Sequence, residues 1–158
     1  GLNYDDKGQL SQTGKINSTL LNELNALEYY QQKFPKSLGF EFVKEIVLPI
    51  IEKYTIPIED KLRTFTEHIA LQTALALPNK NGSMLATGGG AYNDFLMERI
   101  QANVPEMKII IPSSKILEYK EALIFALLGV LKLRNEINAL SSVTGATMDH
   151  SSGIIFPK

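Results

Sequence analysis

Apolar residues recur at helical spacing along most of the chain. Leu20, Leu21, Leu24 and Leu27 repeat every three to four positions behind Asn17 and Ser18, two good N-cap residues, which predicts a helix over about 18–27. The stretch 34–39, with Pro35 and Gly39, breaks it. A second apolar series then follows at Val43, Ile46, Val47, Ile50, Ile51 and Tyr54, with Pro49 inside it where a kink or restart is expected. The clearest helix of the first half starts after Pro57. It carries Glu59 and Asp60 in its first turn, where the helix dipole favours anions, sets Ile58, Leu62, Phe65 and Ile69 on one face, and ends near Pro78.

Beyond the loop 78–82 the period changes. Met84-Leu85-Ala86-Thr87 and Ile109-Ile110-Ile111 are short apolar runs of the kind a buried parallel strand shows. Between them lie three glycines and an amphipathic stretch with Leu96, Met97 and Ile100, so residues 84–111 read as one strand, turn, helix and strand unit. A long apolar helix is expected over about 117–134, and the segment 141–146 reads as a turn. The opening residues 4–10 read as a tight turn in which Asp5 and Asp6 bond their own backbone and Gly8 takes a positive φ. These elements make an α/β, helix-rich chain. Two parallel strands are too few for a free-standing sheet, so the pattern calls for further strands beside them.

Composition narrows the classes. Sixteen basic and 17 acidic residues are scattered along 158 positions for a net charge of −1, so no basic stripe is available to a phosphate backbone and nucleic acid is not an expected partner. With no cysteine there is neither a disulfide framework nor a thiolate metal site, which fits the cytoplasm. The most apolar run, 122–133, is interrupted by Gly129 and Lys132 and falls short of a bilayer span, so no membrane partner is expected; the first residues lack the pattern of a signal peptide. The absence of an initial methionine fits a piece cut from something longer. With no repeat and no linker, one domain is expected.

Few residues carry candidate chemistry. In Thr87-Gly88-Gly89-Gly90-Ala91-Tyr92-Asn93, three glycines directly behind a strand expose backbone N–H groups with no Cβ in the way, and a flat or anionic ligand has access to the main chain there. A turn that only lets strand and helix pack, with Asn93 as N-cap, has the same composition, so both readings stay open. The triplet is neither a dinucleotide fingerprint nor a P-loop. Glu121 heads the apolar run of the last long helix. It is either a desolvated carboxylate that accepts hydroxyl hydrogen bonds or an exposed helical charge near Lys115 and Lys120. His68 reads as an ordinary helical residue and His150 as a surface one; neither has a metal-ligand neighbour in sequence. No hydrolase signature is present.

Taken in order, five pieces resemble the anhydro-N-acetylmuramic acid kinases, sugar kinases of the actin, Hsp70 and hexokinase ATPase superfamily. They are Tyr4-Asp5-Asp6-Lys7-Gly8 with Gly14; Pro35-Lys36-Ser37 with Gly39 and Glu41; Thr87-Gly88-Gly89-Gly90-Ala91 with Asn93, Leu96 and Met97; Glu121-Ala122 with Phe125-Ala126; and Ser142-Val143-Thr144-Gly145-Ala146. The resemblance implies a helix-rich partial RNase H-like, actin-like C-terminal lobe with a small parallel sheet and flanking helices. It implies an ATP-dependent reaction in which the sugar's 6-oxygen is phosphorylated while water opens the 1,6-anhydro ring, as part of cell-wall recycling. By the same resemblance Thr87, Gly88, Gly89, Gly90 and Asn93 are nucleotide contacts and Glu121 helps bind the sugar. The catalytic aspartate of a DTGPGN-like segment, and the SGTSxDG-like segment that holds the β- and γ-phosphates with Mg²⁺, normally lie upstream and are not in this chain. No catalytic residue is therefore expected here, the isolated chain is expected to be inactive, and the whole enzyme is expected to be a homodimer. The sequence departs from the family's usual PKSTGRE at Leu38 and Phe40, and replaces the threonine-rich approach to the glutamate with Ile111-Pro112-Ser113-Ser114-Lys115. A rival reading is a non-catalytic actin-like module that senses nucleotide to change a protein contact; a plainer one is a helical interaction domain.

Overall fold

The computed structural model describes residues 4–33 and 36–156. Phe34 and Pro35, which open the expected helix break, lie outside them. Backbone contacts group the chain into two units, 1–32 with 38–117 and 33–37 with 118–158.

The first unit is arranged around one helix. A 3-10 turn Asp6–Gly8 leads into α1 (Gln9–Thr13), followed by α2 (Ser18–Asn25), α3 (Glu28–Gln31) and α4 (Phe40–Phe42). The chain then passes through a π-helical turn Val43–Val47 into α5 (Leu48–Glu52), with Pro49 in the first turn of α5. Proline lacks the N–H that would continue the ladder, and the widened turn before it absorbs the defect. The long helix α6 (Ile58–Ala76) starts behind Pro57, as its acidic first turn predicts. Strand β1 (Gly82–Leu85), a 3-10 turn Gly89–Tyr92, helix α7 (Asp94–Asn103) and strand β2 (Met107–Ile110) complete the expected unit. The strands pair in parallel from Gly82 opposite Met107 to Leu85 opposite Ile110, and the Ala86 amide donates to the Ile110 carbonyl at 2.9 Å. Both strands begin about two residues earlier than their apolar runs suggest.

Two apolar clusters flank α6. Ala70 and Ala74 meet Ile100, Val104 and Met107, which fixes α7 and the sheet. Leu20 and Leu24 of α2 meet Val47 and Ile50, with Phe65 of α6 packed against them. The buried side of α6 differs from the expected stripe. Thr64, Thr66, Glu67, His68, Ala70 and Ala74 are buried, while Ile58 is 56% exposed. Polar side chains enter because distant partners meet them. The Thr64 hydroxyl accepts from the Asn17 amide at 2.9 Å and donates to the Asp60 carbonyl at 2.7 Å.

Helix α8 (Ser114–Leu133) leaves the first unit after Leu117 and enters the second. In the second unit the segment expected as a turn contains the short helix α9 (Ser141–Thr144), ended by Gly145 at φ +74°. Asp149 accepts from the Ser141 amide and hydroxyl, both at 2.7 Å, and these bonds hold its carboxyl below the ordinary range. An isolated antiparallel bridge joins Ala139 to the exposed His150. Among the described residues of 118–156 none is buried. Leu123, Phe125, Leu127 and Leu133 of α8 are all more than half exposed.

Candidate functional site

The glycine turn stands open. Gly88 adopts φ +88° with ψ 177°, a combination closed to L-residues, and bends the chain out of β1 into the 3-10 turn. A Cβ placed on Gly88 or Gly89 would meet nothing within 4 Å, and on Gly90 only Leu96 Cδ2 at 4.0 Å. Tight strand-to-helix packing therefore does not require glycine at 88 or 89; what it leaves is accessible main chain. Asn93 caps α7, its Oδ1 accepting from the Leu96 amide at 2.9 Å. The open backbone at Gly88 and Gly89 and the cap at Asn93 sit on different residues of the turn.

The opening turn forms the other wall. Lys7 and Gly8 take positive φ of 55° and 76° in succession. Asp5 caps α1 by accepting from the Leu10 and Ser11 amides at 2.8 and 2.9 Å. Partial burial works to raise its pKa, but these amides and the Ser11 hydroxyl outweigh it and hold the carboxyl below the usual range. Gly8 presses on α7: a Cβ there would strike Asn93 Oδ1 and lie 2.5 Å from Phe95 Cβ. Lys7 Nζ reaches Asp94 Oδ2 at 3.7 Å, an exposed pair of small energetic weight.

Together the opening turn, the segment 89–94 and Ile111, Pro112, Ser114 and Leu117 line a cleft of about 870 Å³. Gly89, Gly90 and Asn93 face it; Thr87 and Gly88, both half-buried, stand just before it. Glu121 is exposed on α8, in the second unit. The sequence pattern singled out the glycines but gave no notice that Tyr4, Asp6 and Lys7 share their cleft.

Behind the cleft, α7 is locked to α6. Arg99 Nε and Nη2 reach Glu67 Oε2 and Oε1 at 2.7 and 3.3 Å, and Asn103 Nδ2 adds a bond to Oε1 at 3.4 Å. Burial pushes the Glu67 pKa up, yet Arg99, Asn103 and the nearby Arg63 together hold it below the ordinary value. The Arg63 guanidinium lies 4.7 Å from the centre of the Phe95 ring.

His68, expected to be an ordinary helical residue, is 1% exposed. Its Nδ1 is 2.7 Å from Asn25 Oδ1, and that oxygen also accepts from Gln72 Nε2 at 2.9 Å. The proton therefore sits on Nδ1, and Nε2 accepts from the Tyr30 hydroxyl at 2.9 Å. Burial depresses its pKa to about 4, so the ring is neutral. Among the described residues no group of three or more His, Asp or Glu side chains is placed to hold a metal ion. Nor is any helix among them long and apolar enough to cross a membrane.

Comparison with known proteins gives one consistent result. The chain is 36% identical over 172 residues to the anhydro-N-acetylmuramic acid kinase of Mannheimia succiniciproducens, covering 100% of this chain and 46% of that protein. It is 31% identical over 163 residues to the like-named protein of Vibrio vulnificus and 32% identical over 163 residues to that of Saccharophagus degradans, in each case covering 99% of this chain and 44% of the relative. The chain thus spans a little under half the length of these relatives. Residues 1–158, the glycine cleft included, match the sequence profile of the family described as anhydro-N-acetylmuramic acid kinase, and the chain belongs to that family.

Proposed function

We propose that this chain is the nucleotide-contacting C-terminal lobe of an ATP-dependent kinase that phosphorylates and hydrolytically opens 1,6-anhydro-N-acetylmuramic acid, giving N-acetylmuramic acid 6-phosphate. The observation that carries the reading is the family match along all 158 residues, because the relatives are kinases by name. The open backbone at Gly88 and Gly89 supports a ligand role for the turn beyond packing. In this reading Thr87, Gly88, Gly89, Gly90 and Asn93 form the adenosine side of the nucleotide site, and Glu121 serves the sugar. The lobe has an RNase H-like, actin-like fold, and β1 and β2 are part of a larger sheet. The exposed Leu85, Ile110 and Ile111 support that, since parallel strands are ordinarily covered on both faces. The base that activates water, the phosphate loop and any Mg²⁺ belong to the remaining length of the family's chain. The intact enzyme is a cytoplasmic homodimer and the isolated lobe is inactive.

The test joins this chain to the rest of its reading frame and supplies ATP, Mg²⁺ and the anhydro-sugar, with the 6-phosphate product followed by mass spectrometry. Product is expected from the complete protein, with the KM for ATP raised by Gly89→Asp, and none from the 158 residues alone. A complete protein that leaves the sugar unphosphorylated overturns the kinase assignment. Turnover by the 158 residues overturns the division of labour between lobes.

A further inference from the structure

We propose that the first unit carries a second ligand site, a cavity beside His68 that takes a small uncharged aromatic or heteroaromatic molecule of one or two rings. The cavity shares no residue with the glycine cleft, so the nucleotide reading above does not bear on it. The apolar stripe of α6 is the starting point. The chain buries the neighbouring polar face of that helix and leaves Phe65 and Ile69 half-buried. With Thr73 and Ala76, which continue the same helical spacing, they line a cavity of about 380 Å³. Phe42 of α4 and Val43 and Val47 of the π-helical turn supply further lining. A widened turn of that kind shifts side chains out of helical register and recurs at functional sites. Leu38 and Ala76 are exposed and mark the opening to solvent.

An aromatic wall is already in place. Phe42, Tyr30, His68 and Phe65 follow one another in ring contact, with centroids 6.4, 5.1 and 6.1 Å apart and planes at 90°, 73° and 19°. The bonds from Tyr30 to His68 and from His68 to Asn25 fix the middle of the series. A bound ring meets edges and faces of the kind that aromatic pairs favour. The polar groups of the lining are spent inside the protein, Gln72 Nε2 on Asn25 and the Thr73 hydroxyl on the Ile69 carbonyl. No Asp, Glu, Lys or Arg is among the described residues that line the cavity, and burial keeps His68 neutral. A charged ligand would lose its hydration there with nothing to replace it. Size sets the other bound: small-molecule sites begin near about 300 Å³, and a cavity of about 150 Å³ already holds benzene, so this one suits a single or fused pair of rings.

The experiment uses the complete protein, this chain joined to the rest of its reading frame, with 5-fluoroindole as the neutral probe and 4-fluorobenzoate as the anionic one, both followed by fluorine NMR. Fluoroindole is expected to bind saturably with a Kd below about 1 mM, and fluorobenzoate about tenfold more weakly or worse. Ala76→Phe, which sets a ring in the opening, is expected to weaken fluoroindole by about tenfold or more, and Leu38→Ser, which removes apolar wall, by roughly fivefold. Both positions are exposed, and circular dichroism with urea midpoints checks that the variants fold. Gly89→Asp, in the other cleft, should leave fluoroindole binding unchanged; a loss there denies that the two sites are separate. Unaltered affinity in a folded Ala76→Phe, or in Leu38→Ser should the first not fold, overturns the proposal, as does fluorobenzoate binding as tightly as fluoroindole. If the complete protein takes up no probe, or gel filtration shows Ala76→Phe splitting an oligomer, protein covers the cavity and the small-molecule site falls.

Discussion

Protonation of His68 should destabilise the first unit in mildly acidic solution. The neutral ring has one proton, on Nδ1, committed to Asn25, and one lone pair, on Nε2, accepting from Tyr30. A second proton on Nε2 turns that acceptor into a donor facing the Tyr30 hydroxyl and places a charge where burial already depresses the pKa from 6.5 to about 4. The folded pKa lies below the unfolded one, so between the two values the unfolded chain binds more protons. The contribution of His68 is therefore fully present above the unfolded value and is lost as pH falls from there toward the folded value. Once pH lies below both, the loss amounts to roughly 3 kcal/mol; from about pH 7 to about pH 5, where most carboxylates keep their charge, it is about 2 kcal/mol. Urea unfolding of the chain and of His68→Gln at the two pH values measures this, because glutamine does not titrate. The fall in stability between the two conditions should be smaller in the variant by about 2 kcal/mol. An equal fall in both proteins, or a His68 imidazole resonance, identified by its loss in His68→Gln, that titrates at the ordinary histidine pKa, would refute the reasoning.

Three further outcomes are expected. Arg99→Met leaves the Glu67 carboxylate buried without its bidentate partner and should cost about 3 kcal/mol in urea unfolding, with part of the loss restored by adding Glu67→Gln. Gly8→Ala combines a positive φ of 76° with a Cβ driven against Asn93 and Phe95, and should lower stability by roughly 2–4 kcal/mol, read by thermal unfolding. Asn93→Ala removes the cap of α7 and should cost about 1 kcal/mol by the same measurement.

What the sequence made legible follows the range of the interactions involved. Pro57 with its acidic first turn, the Asn17 cap, Pro49 and the strand, turn, helix and strand unit are local, and each element lies within a few residues of where its signals place it. The buried face of α6 is different in kind. Hydrophobic period favours Ile58, Leu62, Phe65 and Ile69, but Thr64, Glu67 and His68 go inside because their partners, Asn17, Arg99, Asn25 and Tyr30, stand between 32 and 47 positions away. Nothing within α6 announces those partners, and a buried polar group is tolerable only where they exist.

The cleft divides in the same way. Its glycine triplet is visible because glycine is itself the signal, whereas the second wall depends on one long-range approach. Gly8 tells against a purely local reading of the opening turn. A positive φ alone could be served by asparagine at modest cost, but a side chain at this position collides with Asn93 and Phe95. Glycine there answers to the helix behind the triplet as well as to the turn that contains it. On that argument Gly8→Ala should disturb more than stability. If it also weakens nucleotide binding in chains that remain folded, the opening turn is a wall of the site; if binding survives unchanged, Gly8 serves packing alone and the cleft belongs to the glycine turn by itself.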